Sequence, residues 1–465
     1  MNSFVNAVKS VPTEVRTTNG MKTFDSSKSD LVDLFFAIGA SRGKDLSTQF
    51  ARALAQDETL ALRMLAWARD VRGGAGEREV VRKILLNLEK TNPKALARVL
   101  PHLAEFGRWD DLLIFTSKEV KAQAFTMIGD ALREKNGLAA KWIPRQGKVA
   151  AELRTFFGMS PKFYRKSLVG MSKTVEQNMC ANEWDSIEYS HVPSVAAARY
   201  QKAFKKHDAV GYEAYKAKLV TGEAKVNAAA VYPYDVIKSH KFGGDHTVIQ
   251  AQWDALPNYI GDELVLPMCD VSGSMSCPVG GNANLTCMDV CVSLGLYLAD
   301  KNTGPFKDMF LTFSAKSKIE VLKGNLLAKL AQLQRAAWDM NTNLNAAFEE
   351  VLRVAKAGNV AAKDMPRYVL IMSDMQFDQC ARHDDSAMQM IQRKYKDAGY
   401  EVPNIVFWNL NAKAGQSPVK FDQKGAALVS GFSPAILKSI LAAEDLDPTS
   451  VMLQTLNSPR YAVIA

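Results

Sequence analysis

The stretch ELVLPMCDVSGSMS, Glu263 to Ser276, is an apolar run that ends in one carboxylate and three hydroxyls. A near-continuous apolar run closed by turn residues predicts a strand buried on both faces. The sequence beyond it keeps the same alternation. LTCMDVCVSLGLYLADK carries apolar residues at steps of three and four and predicts a helix, while DMFLTFS, RYVLIMSDM, NIVFWNLN and ALVSGFS predict further strands. LLAKLAQLQRA, NLNAAFEEVLRVAKAG, SAMQMIQRKYKDAG and PAILKSILAA have helical spacing, the last of them taken as the final helix. Buried strands alternating with amphipathic helices predict an α/β domain over residues 262–465, built on a parallel, doubly wound, Rossmann-like sheet. In such sheets ligands collect at the carboxyl ends of strands, where Asp270 falls.

Ser272 and Ser274 follow Asp270 at two-residue steps before the next helix. Thr342, in WDMNTNLNAAF, precedes another helix, and Asp374, in YVLIMSDM, ends another strand. Two carboxylates and three hydroxyls make a hard-oxygen set of low charge. It suits Mg²⁺, or another divalent cation such as Mn²⁺ or Ca²⁺, with a coordination position left over. DxSxS with a later Thr and Asp resembles the metal-ion-dependent adhesion site of von Willebrand factor A domains. That resemblance implies binding: the open metal position accepts an acidic oxygen from a partner protein. Two other readings stand beside it. The same oxygens could simply cap turns and helices, or Asp270 could be the nucleophile of a phosphatase resembling the haloacid dehalogenases. The second is opposed by Ser272, which replaces the general acid of that mechanism. HExxH, GxSxG and P-loop motifs are absent and no His pair has ligand spacing, so no catalytic constellation is visible and the expectation is a non-enzyme.

Upstream, the chain from Ser29 reads as consecutive amphipathic helices with short polar breaks: DLVDLFFAIGAS, DLSTQFARALAQ, ETLALRMLAWARDV, EREVVRKILLNLEK, PKALARVLPHLAEFG, RWDDLLIF and VKAQAFTMIGDALREK. Helix, short loop, helix is the rhythm of an α-solenoid of HEAT type, all-α over residues 29–250 after an amino-terminal arm, residues 1–28. A boundary falls near residues 240–262.

Charge separates the two parts. Residues 1–260 carry 38 Lys and Arg against 28 Asp and Glu, and residues 261–465 carry 20 against 21, so the excess of +9 belongs to the helical part. Its centre is Lys141 to Lys173, where Lys141, Arg145, Lys148, Arg154, Lys162, Arg165, Lys166 and Lys173 face one acid, Glu152. Trp142, Phe163 and Tyr164 are interleaved, as flat faces on which unpaired bases can stack. Arg199, Lys205 and Lys206 repeat the mixture. In RGGAGER, Arg72 and Arg78 flank glycines that either admit a phosphate or make a tight interhelical turn. A solvated basic face is the alternative account of these charges; between Lys141 and Lys173 the near absence of acids, and the recurrence of the mixture at Arg199 to Lys206, favour nucleic acid.

A basic helical repeat followed by an adhesion-site domain resembles the Ro ribonucleoprotein family, whose helical part is called TROVE, and most of all its viral, bacterial and plant relatives. RDVRGGAGERE, EFGRWDDLL, KWIPRQGK, FYRKSL, VPSVAAARYQKAF, VYPYDVIK, MCDVSGSM, WDMNTNLNAAF and IMSDMQFD carry the likeness. It implies a small structured or single-stranded RNA as partner, and a solenoid open or closed into a ring that the metal-binding domain stabilises. A protein-interaction scaffold that grips an acidic partner without RNA is the rival reading. No segment approaches the roughly 18 apolar residues of a membrane span, and the six cysteines, Cys180, Cys269, Cys277, Cys287, Cys291 and Cys380, form no CxxC. A cytoplasmic monomer with free thiols is expected.

Overall fold

The computed structural model describes residues 13–41, 43–228, 231–241, 243–279, 282–313, 317–335, 342–379, 384–413 and 415–465. Six strands form the main sheet: β3 Val265–Asp270, β6 Met309–Phe313, β7 Lys318–Val321, β8 Tyr368–Ser373, β9 Asn404–Asn409 and β10 Ala426–Ser430. Their order is β10-β9-β8-β3-β6-β7. The pairs from β10 to β6 are parallel, whereas β7 runs antiparallel to β6 at the edge. The sheet is therefore mixed, not wholly parallel as expected. KIEV is a half-exposed strand with no apolar run, so only its pairing with β6 defines it. All six residues of β3 and of β8 are buried, as near-continuous apolar runs require.

Successive strands run outward from β3 in two directions, so β3 and β8 flank the point where the winding reverses. In sheets of this kind ligands collect at the strands' carboxyl ends beside that point. Helix Cys287–Lys301 packs on β3, and helix Leu344–Ala357 on β6 and β7. The final helix is Pro448–Leu456, beyond the short Leu437–Leu441 read as the last one, and it packs on β10.

The helix Asp30–Ile38, expected to open the solenoid, also lies on β10 and so belongs to the α/β layer. Seven of its nine residues are buried. A helix apolar on all sides has to be enclosed, here by the sheet, by Pro448–Leu456 and by the helices that follow. Asn409 and Ser430 side chains donate to the carbonyls of Phe36 and Phe35, 3.1 and 2.7 Å. Gly39 ends this helix, where a Cβ would lie 2.6 Å from the Ser430 carbonyl oxygen. Of the residues read as an arm, Glu14–Arg16 (β1) and Lys22–Phe24 (β2) form a hairpin, which bridges to Asp378, Ser386 and Ser417 of the α/β part.

The remaining amino-terminal part is helical. PKALARVLPHLAEFG breaks at Pro101 into Pro93–Val99, a 3-10 turn and Leu103–Phe106, and RWDDLLIF forms a 3-10 turn, Trp109–Leu113, in place of a helix. The reason is Asp111, buried to 1% exposure, whose carboxylate turns inward to Arg69 and Arg82 and accepts the Arg108 N–H. One apolar core runs unbroken from these helices into the sheet. Ile187, Tyr189, Val192, Phe204, Tyr212 and Val248 form a second, separate core beneath the helices Ser194–His207 and Ala209–Thr221.

The two parts are joined at several places. Trp253 Nε1 donates to Asp300 at 2.8 Å, and Lys241 pairs with Asp289. The chain's carboxyl end returns to the helical part, where the Ile464 carbonyl accepts from Arg63 at 2.9 Å. Tyr232, which precedes the helix Pro233–Lys241, lies against Gly76 so closely that a Cβ there would be 2.2 Å from its hydroxyl. Early and late helical segments thus adjoin.

Candidate functional site

Two sites emerge from the residues singled out above. The first is the oxygen cluster at the carboxyl ends of the neighbouring strands β3 and β8. Asp270, fully buried, ends β3; its Oδ1 accepts the Ser272 N–H at 2.9 Å and its Oδ2 accepts the Ser373 hydroxyl at 2.5 Å. The Ser272 and Ser274 hydroxyls stand 3.0 Å apart, Ser272 buried and Ser274 exposed. The strand supplies Asp270, and the 3-10 turn Gly273–Ser276 with its N-cap Ser272 supplies the two hydroxyls. Asp374 is 2% exposed; its Oδ1 accepts the Gln376 N–H at 3.3 Å, while its Oδ2 is buried without a hydrogen-bond partner, with Lys413 Nζ 3.5 Å away. Burial, with Asp374's charge adding to it, pushes the Asp270 carboxyl up to about 7. A buried carboxylate oxygen with no hydrogen bond among the described residues, met by the Lys413 ammonium at 3.5 Å, next to a second carboxylate held above its usual range is what a hard cation would relieve, so the donor set fits one.

Thr342 is placed less directly. Its hydroxyl donates to Asp378 at 2.9 Å and accepts from the Asn19 amide at 2.6 Å. The residues before Thr342, 336–341, lie outside the described residues. Asn19, Ser373, Asp378 and Lys413 were not singled out from the sequence. Asp378 was within sight, four residues beyond Asp374 in SDMQFD, but Asn19 arrives from the far end of the chain on the amino-terminal hairpin. Cys277 also stands here, its thiol lowered to about 7 by the Cys287 thiol, which shares a hydrogen bond with it. Among the described residues no three His, Cys, Asp or Glu side chains converge, so the cluster's chemistry is that of two carboxylates and hydroxyls.

The second site is the basic surface. Ser160 caps the helix Pro161–Ser172, accepting the Phe163 N–H at 3.3 Å, and the helix presents Lys162, Arg165 and Lys166 to solvent. Phe163 is 60% exposed on the same helix and Phe156, ending the helix Lys148–Phe156, is 47% exposed. Both border a groove of about 830 Å³ with Arg133, Lys135, Phe157 and Lys166, and no carboxylate is among its lining residues. Tyr164, expected to stack on a base, does not: it is fully buried, its hydroxyl donating to the Pro144 carbonyl at 2.9 Å. Helical geometry forces this, because Tyr164 and Leu168, four residues apart, form the helix's buried stripe and leave Phe163 outside. Trp142 is half-buried, with the Arg108 guanidinium 4.2 Å from its ring centre.

Arg145, Lys148 and Lys173 are exposed, Lys141 half-buried; Arg145 donates to the Ser172 hydroxyl at 2.9 Å. Arg199, Lys205 and Lys206 are exposed on the helix Ser194–His207, over the second core and apart from this groove. RGGAGER is an internal junction: Arg78 pairs with Asp110 at 2.6 Å, Arg72 donates to the Glu105 carbonyl at 3.1 Å, and a Cβ on Gly74 would lie 1.9 Å from the Trp67 carbonyl oxygen. The glycines serve backbone packing, which removes the ground for a phosphate cradle at Arg72 and Arg78.

Among the described residues no helix is long and apolar enough to cross a membrane. A mimivirus protein, "Uncharacterized protein L728" of Acanthamoeba polyphaga mimivirus, is 28% identical over 95% of this chain and 86% of its own length. The crystal structure of the Deinococcus radiodurans Ro (RSR) protein superposes on 93% of this chain and 100% of its own, with 13% identity and a TM-score of 0.43, a level of overlap from which nothing about this chain follows. Residues 265–458 match the family model described as domain of unknown function DUF7788. Residues 17–136 and 145–263 match the model described as domain of unknown function DUF2828. As that match spans more than half of the chain, the protein belongs to the DUF2828 family.

Proposed function

We propose that this protein binds single-stranded or small structured RNA on its helical part and performs no catalysis of its own. The observation that carries the reading is the groove beside the helix Pro161–Ser172. Exposed Phe156 and Phe163 offer ring faces to unpaired bases, while Lys162, Arg165 and Lys166 are free to neutralise the phosphates between them. A merely solvated basic face would not leave two phenylalanines 47% and 60% exposed beside it. In this reading the α/β part is a von Willebrand A domain in which Asp270, Ser272, Ser274, Thr342 and Asp374 hold Mg²⁺. When bound, the ion supplies positive charge and an open coordination position to an acidic side chain. The chain's own residues orient it: Ser373 fixes Asp270, and Asn19 and Asp378 fix the Thr342 hydroxyl. The approach of Tyr232 to Gly76, which sets late and early helical segments side by side, supports a closed arrangement of the helices, likened to the Ro ring.

The test is fluorescence anisotropy with a labelled single-stranded RNA across a salt series. Affinity should fall steeply with salt, by a log-log slope of roughly 0.7 per phosphate contacted. Changing Lys162, Arg165 and Lys166 together to Ala should flatten that slope by about 2. A salt-independent affinity, or an unchanged slope in the triple variant, overturns the reading.

The protein-interaction scaffold has its own supporting observation, the exposed Ser274 hydroxyl at the rim of an otherwise buried oxygen cluster. It predicts Mg²⁺-dependent capture of acidic peptides by protein that ignores RNA.

A further inference from the structure

Cys277 and Cys287 stand at the base of the small hairpin that follows the hydroxyl loop. Its strands pair Pro278 with Thr286 in antiparallel register. One step outward, the same register sets Cys277 opposite Cys287, and the Cys287 N–H donates to the Cys277 carbonyl at 3.1 Å. Directly opposed residues of an antiparallel pair lie about 4.5–5.5 Å apart at Cα, inside the window of about 4.4–6.8 Å that a disulfide spans. The side chains already face one another, with 3.4 Å between the sulfurs. Their exposure is unequal: Cys277 is half-buried and reachable, Cys287 is 2% exposed. The Asn411 amide donates to the Cys277 sulfur at 3.3 Å, holding it beside its neighbour.

We propose that Cys277 and Cys287 are a reversible dithiol–disulfide site, oxidised by small disulfides such as oxidised glutathione. Cys277, as thiolate, attacks a sulfur of glutathione disulfide; the old S–S bond breaks, and one glutathione leaves and takes up the Cys277 proton. Cys287 then attacks Cys277 Sγ, its own proton passing to the second departing glutathione. Two thiols lose two electrons and two protons, and one disulfide becomes two thiols. The bond fastens the end of the hydroxyl loop to the first residue of the helix Cys287–Lys301, since the Cys277 N–H already donates to the Ser274 carbonyl.

Cys180, exposed and with no second thiol facing it among the described residues, is the internal control, while Cys380 lies outside the described residues. The purified full chain is equilibrated with glutathione mixtures from fully reduced to fully oxidised, quenched by acid, alkylated and mapped by peptide mass. The expected result is a Cys277–Cys287 cross-linked peptide pair, two hydrogens lighter than the sum of its thiol forms, with both alkylation sites lost together and Cys180 carrying only glutathione. Cys287→Ser should instead trap glutathione on Cys277, and Cys277→Ser should leave Cys287 free throughout. A stable glutathione adduct on Cys277 in the unaltered protein, a link from either residue to Cys380, or both thiols remaining free in the fully oxidised mixture would overturn the proposal.

Discussion

Replacing Asp70 by Asn removes one charge from a site where a single buried carboxylate ties the chain's carboxyl end to the helical part. Asp70 is fully buried. Its oxygens accept the N–H groups of Arg72 and Gly73 at 3.0 and 3.1 Å, Arg460 Nη2 at 2.8 Å together with Nε, and the Tyr461 hydroxyl at 2.9 Å. Asn has the same size, but offers one acceptor oxygen and sets an NH₂ group against donors. The Arg460 guanidinium loses its counter-charge and the buried Tyr461 hydroxyl loses its acceptor. Removing one member of a buried pair costs about 3–5 kcal/mol. Arg460 is one-third exposed, so water screens part of its loss and the lower end, about 3 kcal/mol, applies. Tyr461→Phe, which deletes one hydrogen bond and keeps the packing against Phe106, should cost about 1 kcal/mol. Urea denaturation followed by tryptophan fluorescence reads both, because Trp67 is buried one turn from Asp70. If Asp70→Asn unfolds within about 0.5 kcal/mol of the parent, an ordinary surface effect, the tethering role assigned to Asp70 is refuted.

Further outcomes follow from the same contacts. Excess Mg²⁺ should raise the melting temperature of chelator-treated protein, by about 2.7 kcal/mol of stability at a hundredfold excess over Kd, and Asp374→Ala should abolish the rise; an equal shift in that variant removes Asp374 from the cation site. Phe163→Ala should weaken single-stranded RNA binding by roughly 5- to 150-fold, the worth of one stacked base, whereas Tyr164→Phe should leave the affinity unchanged in the same anisotropy titration. Gly74→Ala should prevent soluble expression or lower the melting temperature sharply, since its Cβ would overlap the Trp67 carbonyl. Gly147→Ala, at a positive φ of 89° but in open space, should cost only about 1–2 kcal/mol on the same scale.

Much of the α/β part was legible in one dimension. LVLPMCD and YVLIMSD are apolar along their whole length, which only a strand covered on both faces tolerates, so their burial and the location of Asp270 and Asp374 at strand ends followed directly. KIEV alternates polar and apolar residues over only four positions and is at most half-buried, too short a signal to define a strand without its partner. The same distinction holds along the helices. DLVDLFFAI announced a helix by composition, but not that its burial on all sides would place it on β10, because periodicity tells which face is apolar and not what covers it.

The sequence by itself determined the alternation of buried strands and helices in the carboxyl-terminal part, the charge division between the two parts, and an oxygen-rich turn behind a buried strand. Those properties are local, written in runs, spacing and composition. Tertiary structure decided which of the nominated side chains can meet a ligand. It buried Tyr164 and left Phe163 exposed, committed Arg78 to Asp110, and turned Asp70 into the anchor of residues nearly four hundred positions away. It also brought Asn19 from the other end of the chain to Thr342 and set the sulfur of Cys287 beside that of Cys277. Contacts of that kind depend on how elements pack in space, and for Asn19 with Thr342 or Asp70 with Tyr461 no window along the chain contains both partners.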